Sequence, residues 1–396
     1  MHVAIVHYHL RRGGVTGIIR ATISALTPRG YRFVVLSGEP PSEPLPYNTP
    51  FCTIEELSYG QRSESLKARD IAKKLIDSAR REVGTFNLFH FHNHSLGKNA
   101  TMPLAARELA AMKIPLLLHI HDFPEDFRPE NYKLLEESLG KSRLSQILYP
   151  TSSHVHYAVL NKRDRNFLSA CGVSQENLHL LPNAVGWQEE AHTNTGGREN
   201  LFLYPTRAIR RKNLGEFLLW ASLKREEARF ATTLSPKNPK ARPVYEKWVR
   251  LAKELKLPVD FEIGEKSPLP YPELLRGAKA LITTSVAEGF GLAFLEPWLV
   301  GRPLVGRDLP EITETITSSG ICLSGLYKRL TVPIAWVGEK EVKEKLKEGL
   351  RSVYAAYKLP LSEEKIEETF SFVFSKGRVE FGKLDEELQE KVLRFL

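Results

Sequence analysis

Glu288-Gly289-Phe290-Gly291-Leu292-Ala293-Phe294-Leu295-Glu296 follows the apolar run 280–284. That run reads as a strand, and the two glycines stand where it should turn into a helix. A strand, a glycine turn and a helix start make an anion site. The first-turn N–H groups lack partners, the helix dipole is positive there, and glycine lets a ligand approach the backbone. Glu288 and Glu296 bracket the turn, eight positions apart. On one helix that spacing separates them by about 12 Å along the axis and about 80° around it. Retaining glycosidases hold their carboxyl pair about 5–5.5 Å apart, inverting ones about 6.5–9.5 Å. The pair therefore suits two parts of one elongated ligand better than a hydrolytic centre. The plain alternative is two solvated helix glutamates.

Around this motif the chain alternates β-type runs with helical patterns. In the first half, strands are expected at 2–8, 32–36, 86–92, 115–121, 146–150 and 178–181, with helices at 15–26, 66–81, 98–112 and 155–170. In the second, strands are expected at 201–205, 230–234, 259–263, 280–284 and 303–305, with helices at 213–224 and 244–255. Repeated strand–helix–strand units imply parallel sheets covered on both faces. The polar stretch 187–200, with Gly196-Gly197 inside it, is the linker candidate. The expected divisions are 1–186, the linker, 201–361 and a C-terminal segment 362–396. In that segment 370–374 looks strand-like, 379–382 has no clear place, and 385–396 looks helical.

The chain of 396 residues is long for a single core, which favours two domains. Three scattered cysteines argue against a disulfide framework or a cysteine zinc site and fit a reducing cytosol. Strand character begins at His2, so no signal or transit peptide is expected, and no apolar run reaches membrane-spanning length. A cytoplasmic location is expected, with peripheral membrane contact left open. Net charge is +9, from 56 basic and 47 acidic residues. The basic residues are dispersed through mixed-charge segments such as 339–347, so the excess is compatible with anionic partners without selecting one.

Further candidate positions sit at strand ends. Gly13-Gly14 follows the first strand and opens a helix, where free N–H groups could face a phosphate or hydroxyl; a plain tight turn is the alternative. It lacks the Gly-x-Gly-x-x-Gly spacing of a dinucleotide fingerprint. In His119-Ile120-His121-Asp122, alternation puts His119 and His121 on one face. The loop Phe123-Pro124-Glu125-Asp126-Phe127-Arg128 follows. His90, His92 and His94 alternate along another strand end. They could hold a metal, but with no nearby cysteine and no Asp-x-Asp step a polar cleft wall is the favoured reading. Arg207 and Lys212 lie five positions apart at a strand-to-helix junction. An arginine fork and a compact lysine charge there suit phosphate oxygens, whereas Arg210 and Arg211 read as solvated.

The Glu-x7-Glu spacing of Glu288 and Glu296 resembles the motif of retaining glycosyltransferases of the GT-B fold, family four. The Arg-x4-Lys pair, the His-Asp step at His121 and the glycine loop resemble that family's motifs in the same order over most of the chain. The resemblance implies an α/β fold with two Rossmann-like doubly wound domains facing across a cleft, and a final helix crossing back to the first domain. It implies transfer of a hexosyl group from a nucleotide diphosphate-sugar to an acceptor hydroxyl, with retention and no protein-bound metal or other cofactor. By resemblance, Glu288, His121, Arg207 and Lys212 are catalytic. Gly13, Gly14, Gly289, Phe290, Gly291, Leu292 and Glu296 join Arg207 and Lys212 in binding the donor. His119, Asp122, Asp126 and Arg128 lie on the acceptor side, and the acceptor is expected to be polar, with a phosphorylated one in view. Departures are Ala184 in Pro182-Asn183-Ala184, Pro297 directly after Glu296, and Arg307 where relatives carry glycine; Arg307 could read an anionic group. Two alternatives stay open. One is another GT-B nucleotide-sugar enzyme, such as a non-hydrolysing epimerase. The other is a non-enzymatic nucleic-acid-binding module, although no interleaved basic and aromatic face supports it.

Overall fold

The computed structural model describes residues 1–11, 13–62, 65–186, 200–224 and 227–396. The linker candidate, apart from Asn200, lies outside the described residues. The chain divides into two compact units, Met1–Ala184 and Val185–Leu396.

In the first unit, seven strands are described: β1 (His2–His7), β2 (Arg32–Ser37), β3 (Phe51–Thr53), β4 (Leu88–His92), β5 (Leu116–Ile120), β6 (Val155–Val159) and β7 (Leu178–Leu180). They form one sheet in the order β3-β2-β1-β4-β5-β6-β7, every pairing parallel. Such a sheet must be covered on both faces, and its central strands are accordingly buried at nearly every position. Helices Ser65–Val83 and Thr101–Ala111 pack together over it, with Phe89, Phe91, Leu118 and Tyr157 in the core beneath.

The strand expected at 146–150 is instead the end of a short helix, Leu144–Leu148, and the strand falls at Val155–Val159. Both stretches are apolar. Val155 and Val159 are β-branched and alternate with buried Tyr157, whereas Ile147 and Leu148 sit in a turn that ends before Pro150. The following helix begins only at Lys162, capped by the Asn161 side chain, which accepts from the Asp164 N–H at 2.9 Å.

The second unit carries β8 (Leu201–Arg207), β9 (Arg229–Leu234), β10 (Val259–Asp260), β11 (Ala280–Thr283), β12 (Leu304–Arg307) and β13 (Leu326–Tyr327). These form a parallel sheet in the order β10-β9-β8-β11-β12-β13. In each sheet the order reverses beside the first strand of the unit, at β1/β4 and at β8/β11. Ligands of open α/β sheets bind at such a reversal, beyond the carboxyl ends of the strands.

A small antiparallel sheet follows, from β14 (Thr331–Pro333), β15 (Phe374–Ser375) and β16 (Arg378–Glu380), with β16 in the centre. This gives 379–382 its place. The aromatic stretch 370–374 is mostly helix, Glu363–Val373, rather than strand. The terminal helix Glu386–Phe395, expected to return to the first domain, belongs to the second unit: Leu388, Val392 and Leu393 are buried in that unit's core against the helix Leu214–Ser222.

The β11–β12 contact leaves no room for a side chain at Gly306. Its φ is +128°, and a Cβ there would stand 2.0 Å from the Thr283 carbonyl oxygen. Gly306→Ala is expected to cost about 1–3 kcal/mol, the scale of a strained backbone position. A urea midpoint unchanged from wild type would contradict this packing.

Candidate active site

The chain leaves β11 at Thr283 and runs through Thr284, Ser285 and Ala287 to Glu288. On the neighbouring strand, β8 ends at Arg207, and a single 3-10 turn, Arg210–Lys212, follows. The two segments are laced together. Val286 N–H donates to the Arg211 carbonyl at 2.9 Å, and the Thr284 hydroxyl donates to the Lys212 carbonyl at 3.0 Å. The Tyr204 hydroxyl, fully buried, lies 3.0 Å from the same carbonyl and 2.7 Å from Ser285 Oγ. Asn213 closes the turn in the left-handed region, φ 52°, which a short polar side chain tolerates.

The lacing sets two cations on one carboxylate. Lys212 Nζ donates to Glu288 Oε1, and Arg211 Nη1 donates to Glu288 Oε2 at 2.8 Å and to the Ala287 carbonyl at 3.0 Å. Glu288 retains 9% exposure. Burial pushes its carboxyl up, but Lys212 and Arg211 outweigh that and hold it below the ordinary range. Burial also lowers Lys212, against the pull of Glu288. Glu288 is therefore ionised at neutral pH, and both cations are oriented before any ligand arrives.

Glu288 and Glu296 are not on one helix. Gly291, φ +85°, precedes a single 3-10 turn, Leu292–Phe294, and Glu296 opens the four-residue helix Glu296–Leu299, shortened around Pro297. A Cβ at Gly291 would lie 2.6 Å from the Phe294 ring, so glycine is required by both φ and space. The N–H groups of Leu292 and Ala293 donate to no backbone carbonyl among the described residues. Glu296 accepts from the Tyr271 hydroxyl at 2.9 Å; burial raises its carboxyl, partly offset by Tyr271 and Lys212. Phe290 and Leu292 flank Gly291, with Leu292 exposed.

Of the expected pair, Lys212 meets Glu288, while Arg207 is exposed at the end of β8. Arg211, read from the sequence as solvated, is the second cation on Glu288. Arg307, which could have read an anionic group, is instead buried and paired with two carboxylates. It donates to Glu216 at 2.5 and 3.0 Å and to Glu380 at 2.7 Å.

In the first unit, Gly13 caps the helix Gly14–Leu26 and Gly14 begins it. Neither has a positive φ, and a Cβ at Gly14 would meet nothing within 4 Å. Sterics do not demand glycine at either position. After β5, Asp122 pairs with Arg128 at 2.6 Å, and Asp126 pairs with Arg163 at 2.9 Å, so three of the expected acceptor-side residues form one braced loop.

His90, His92, His119 and His121 lie together on one face at the ends of β4 and β5, all buried. Their rings form a block, with centroids 4.1 Å apart for His119–His121 and 4.2 Å for His90–His92. His92 Nδ1 stands 2.9 Å from His121 Nε2, and His90 Nε2 stands 3.4 Å from His119 Nδ1. His94 does not continue the row. Asn93 takes φ 58°, and His94 Nε2 turns away to the Leu148 carbonyl at 2.7 Å. The expected polar wall is thus a buried imidazole block of different membership.

Burial lowers the rings of this block, to about 3 for His90 and about 4 for His119, with the neighbouring His119 ring adding to it for His90. Each folded-state value lies below the ordinary 6.5, so the associated stability is complete above pH 6.5 and is lost as pH falls toward the folded values. In chelator-treated protein the urea midpoint is expected to fall between about pH 6.5 and 5, above the range of ordinary carboxylates. A flat midpoint across that window would contradict the burial of the block.

Two parallel, doubly wound sheets in succession, with a charged site at the strand-order reversal of the second, define the fold of GT-B glycosyltransferases. Solved structures carry the same fold. Anabaena HepE in complex with UDP-glucose is 12% identical with a TM-score of 0.55, over 100% of this chain and 98% of that one. The lipopolysaccharide glycosyltransferase WaaG is 13% identical with a TM-score of 0.55, over 100% and 99%. No protein-family model matches the chain. The mannosylglucosyl-3-phosphoglycerate synthase of Petrotoga mobilis is 30% identical over 98% of this chain and 79% of its own length. The chain belongs to the glycosyltransferase family of that synthase and is a hexosyltransferase. Among the described residues, no helix is long and apolar enough to cross a membrane.

Proposed function

We propose that the protein transfers a hexosyl group from a nucleoside diphosphate-sugar to an acceptor hydroxyl, with retention at the anomeric carbon and without an ion held by the protein at the diphosphate. The observation that carries this reading is the buried Glu288 carboxylate gripped by Lys212 and Arg211 at the β8/β11 reversal. As the glycosidic bond breaks, negative charge grows on the leaving diphosphate and positive charge on the sugar ring. Lys212 and Arg211, with Arg207 at the same strand end and the free amides after Gly291, would stabilise the first. Ionised Glu288 would favour the second and hold sugar hydroxyls, and Glu296 would take the ribose. Gly289 and Phe290 would shape the turn against the donor.

Within the first unit we assign Gly13, Gly14 and His121 a donor-binding role, with the exposed backbone at Gly14 open to a phosphate or hydroxyl. His119 and the braced loop of Asp122, Asp126 and Arg128 would lie on the acceptor side. The name of the Petrotoga relative favours a phosphorylated, glycerate-containing acceptor. The UDP-glucose complex of HepE supports a nucleotide-sugar donor.

The test pairs a panel of nucleoside diphosphate-hexoses with phosphorylated acceptors and follows release of nucleoside diphosphate. Lys212→Ala should lower turnover about 100-fold, the scale of losing one oxyanion donor, with folding intact. The proton spectrum of the product should give the donor's anomeric configuration. An inverted product would overturn the retaining reading, and conversion of the donor without acceptor would favour an epimerase.

A further inference from the structure

We infer that the first unit holds a divalent transition-metal ion on His90, His92 and His119. One ring nitrogen from each lies within 4.8 Å of the other two, and all three residues are buried. His90 Nε2 and His119 Nδ1 are already 3.4 Å apart. Tetrahedral ligands at about 2.0–2.1 Å from zinc stand about 3.3–3.4 Å from one another, so this edge has the required length.

Hydrogen bonding alone leaves the block incomplete. His92 Nε2, the outer nitrogen of the linked His92–His121 pair, is buried without a partner. A neutral imidazole has one N–H and one lone pair, so two linked rings present one of each at their outer ends. Buried without partners, such groups cost free energy unless something satisfies them. A metal ion takes lone pairs. With His92 Nε2 on the ion, His92 Nδ1–H donates to His121 Nε2 at 2.9 Å, the outer hydrogen bond that metal-bound histidines characteristically make.

The donor set selects the kind of ion. Three neutral imidazoles without a carboxylate suit zinc and the late first-row ions and offer nothing to magnesium or calcium. The ligands come from adjacent parallel strands, with His92 directly opposite His119 in register, so the sheet itself fixes their spacing. A fourth position would remain for water or for an anionic oxygen. This site is in a different unit from Lys212 and Glu288, and the inference does not rest on the sugar-transfer reading.

The test uses untagged full-length protein, stripped with a chelator, dialysed, and titrated with Zn2+ or Co2+. One ion per chain should survive desalting, and bound Co2+ should give the intense visible absorption of a four-coordinate ion. His92→Gln and His119→Gln should each weaken binding by more than about 100-fold, beyond the loss typical of an outer-shell partner. The His156–His179 pair, 2.9 Å apart, offers a competing surface site; His156→Ala should leave binding unchanged. No retained ion in the wild type, unchanged affinity in both glutamine variants, or loss confined to His156→Ala would overturn the inference. Should both glutamine variants fail to fold, the wild-type Co2+ spectrum decides: the weak absorption of a six-coordinate ion would overturn it.

Discussion

Glu288→Gln is expected to lower sugar transfer by about 10²–10³-fold while the protein remains folded. Glutamine keeps the shape and can still accept a hydrogen bond, so the loss would report charge. Two consequences follow from the single change. The sugar ring loses the anion that favours positive charge as the bond to the leaving group breaks. Lys212 and Arg211 lose the carboxylate that orients them, although both remain present to meet a diphosphate. Nucleoside diphosphate binding should therefore persist in Glu288→Gln while turnover fails, the separation expected when an interaction matters mainly in the transition state. Turnover within a few-fold of wild type would remove Glu288 from the reaction.

Arg307→Leu is expected to destabilise the second unit by about 3–5 kcal/mol, the scale for removing one partner of a buried ion pair. Glu216 and Glu380 are both buried, and each accepts from this guanidinium. Glu216 also accepts from the Tyr327 hydroxyl at 2.6 Å and from Asn213 Nδ2 at 2.8 Å. Glu380 accepts from Leu330 N–H at 3.2 Å. Burial already raises Glu216, and the arginine opposes that shift. Without Arg307, two carboxyls face the interior with their main cation gone. Asn213 follows Lys212 and is held from the other side by Gln389 at 2.8 Å, so the network also braces the active-site turn. Thermal and urea unfolding would read the loss. A variant as stable as wild type, but weaker for an anionic ligand, would restore the ligand-reading role.

Much of this was legible in the residues. The strand–helix alternation located both parallel sheets, and Glu288, Lys212 and the glycine turn fell at the strand ends where the fold builds sites. What escaped depends on information that one sequence carries poorly. Arg210, Arg211 and Lys212 are equivalent as letters; only the turn closed by Asn213 and the hydrogen bond from Val286 to Arg211 decide which side chains meet Glu288. Alternation correctly put His119 with His121, and His90 with His92. That the two pairs share one face required β4 to lie beside β5 in a particular register, a long-range fact. The exchange of helix and strand between 146 and 159 arose because short apolar runs fit either period. Arg307, standing where relatives carry glycine, was given an anion-reading role because its partners Glu216 and Glu380 are remote in sequence.

Isothermal titration of wild type and Lys212→Ala with UDP, GDP, ADP and dTDP, with divalent ions removed and then with Mg2+ restored, bears most directly on how the leaving group is met. Wild type should bind at least one nucleoside diphosphate without added ion, Mg2+ should change that affinity little, and Lys212→Ala should bind it much more weakly. Binding that appears only when Mg2+ is supplied, or that survives Lys212→Ala undiminished, would contradict a site in which the chain's own cations receive the diphosphate.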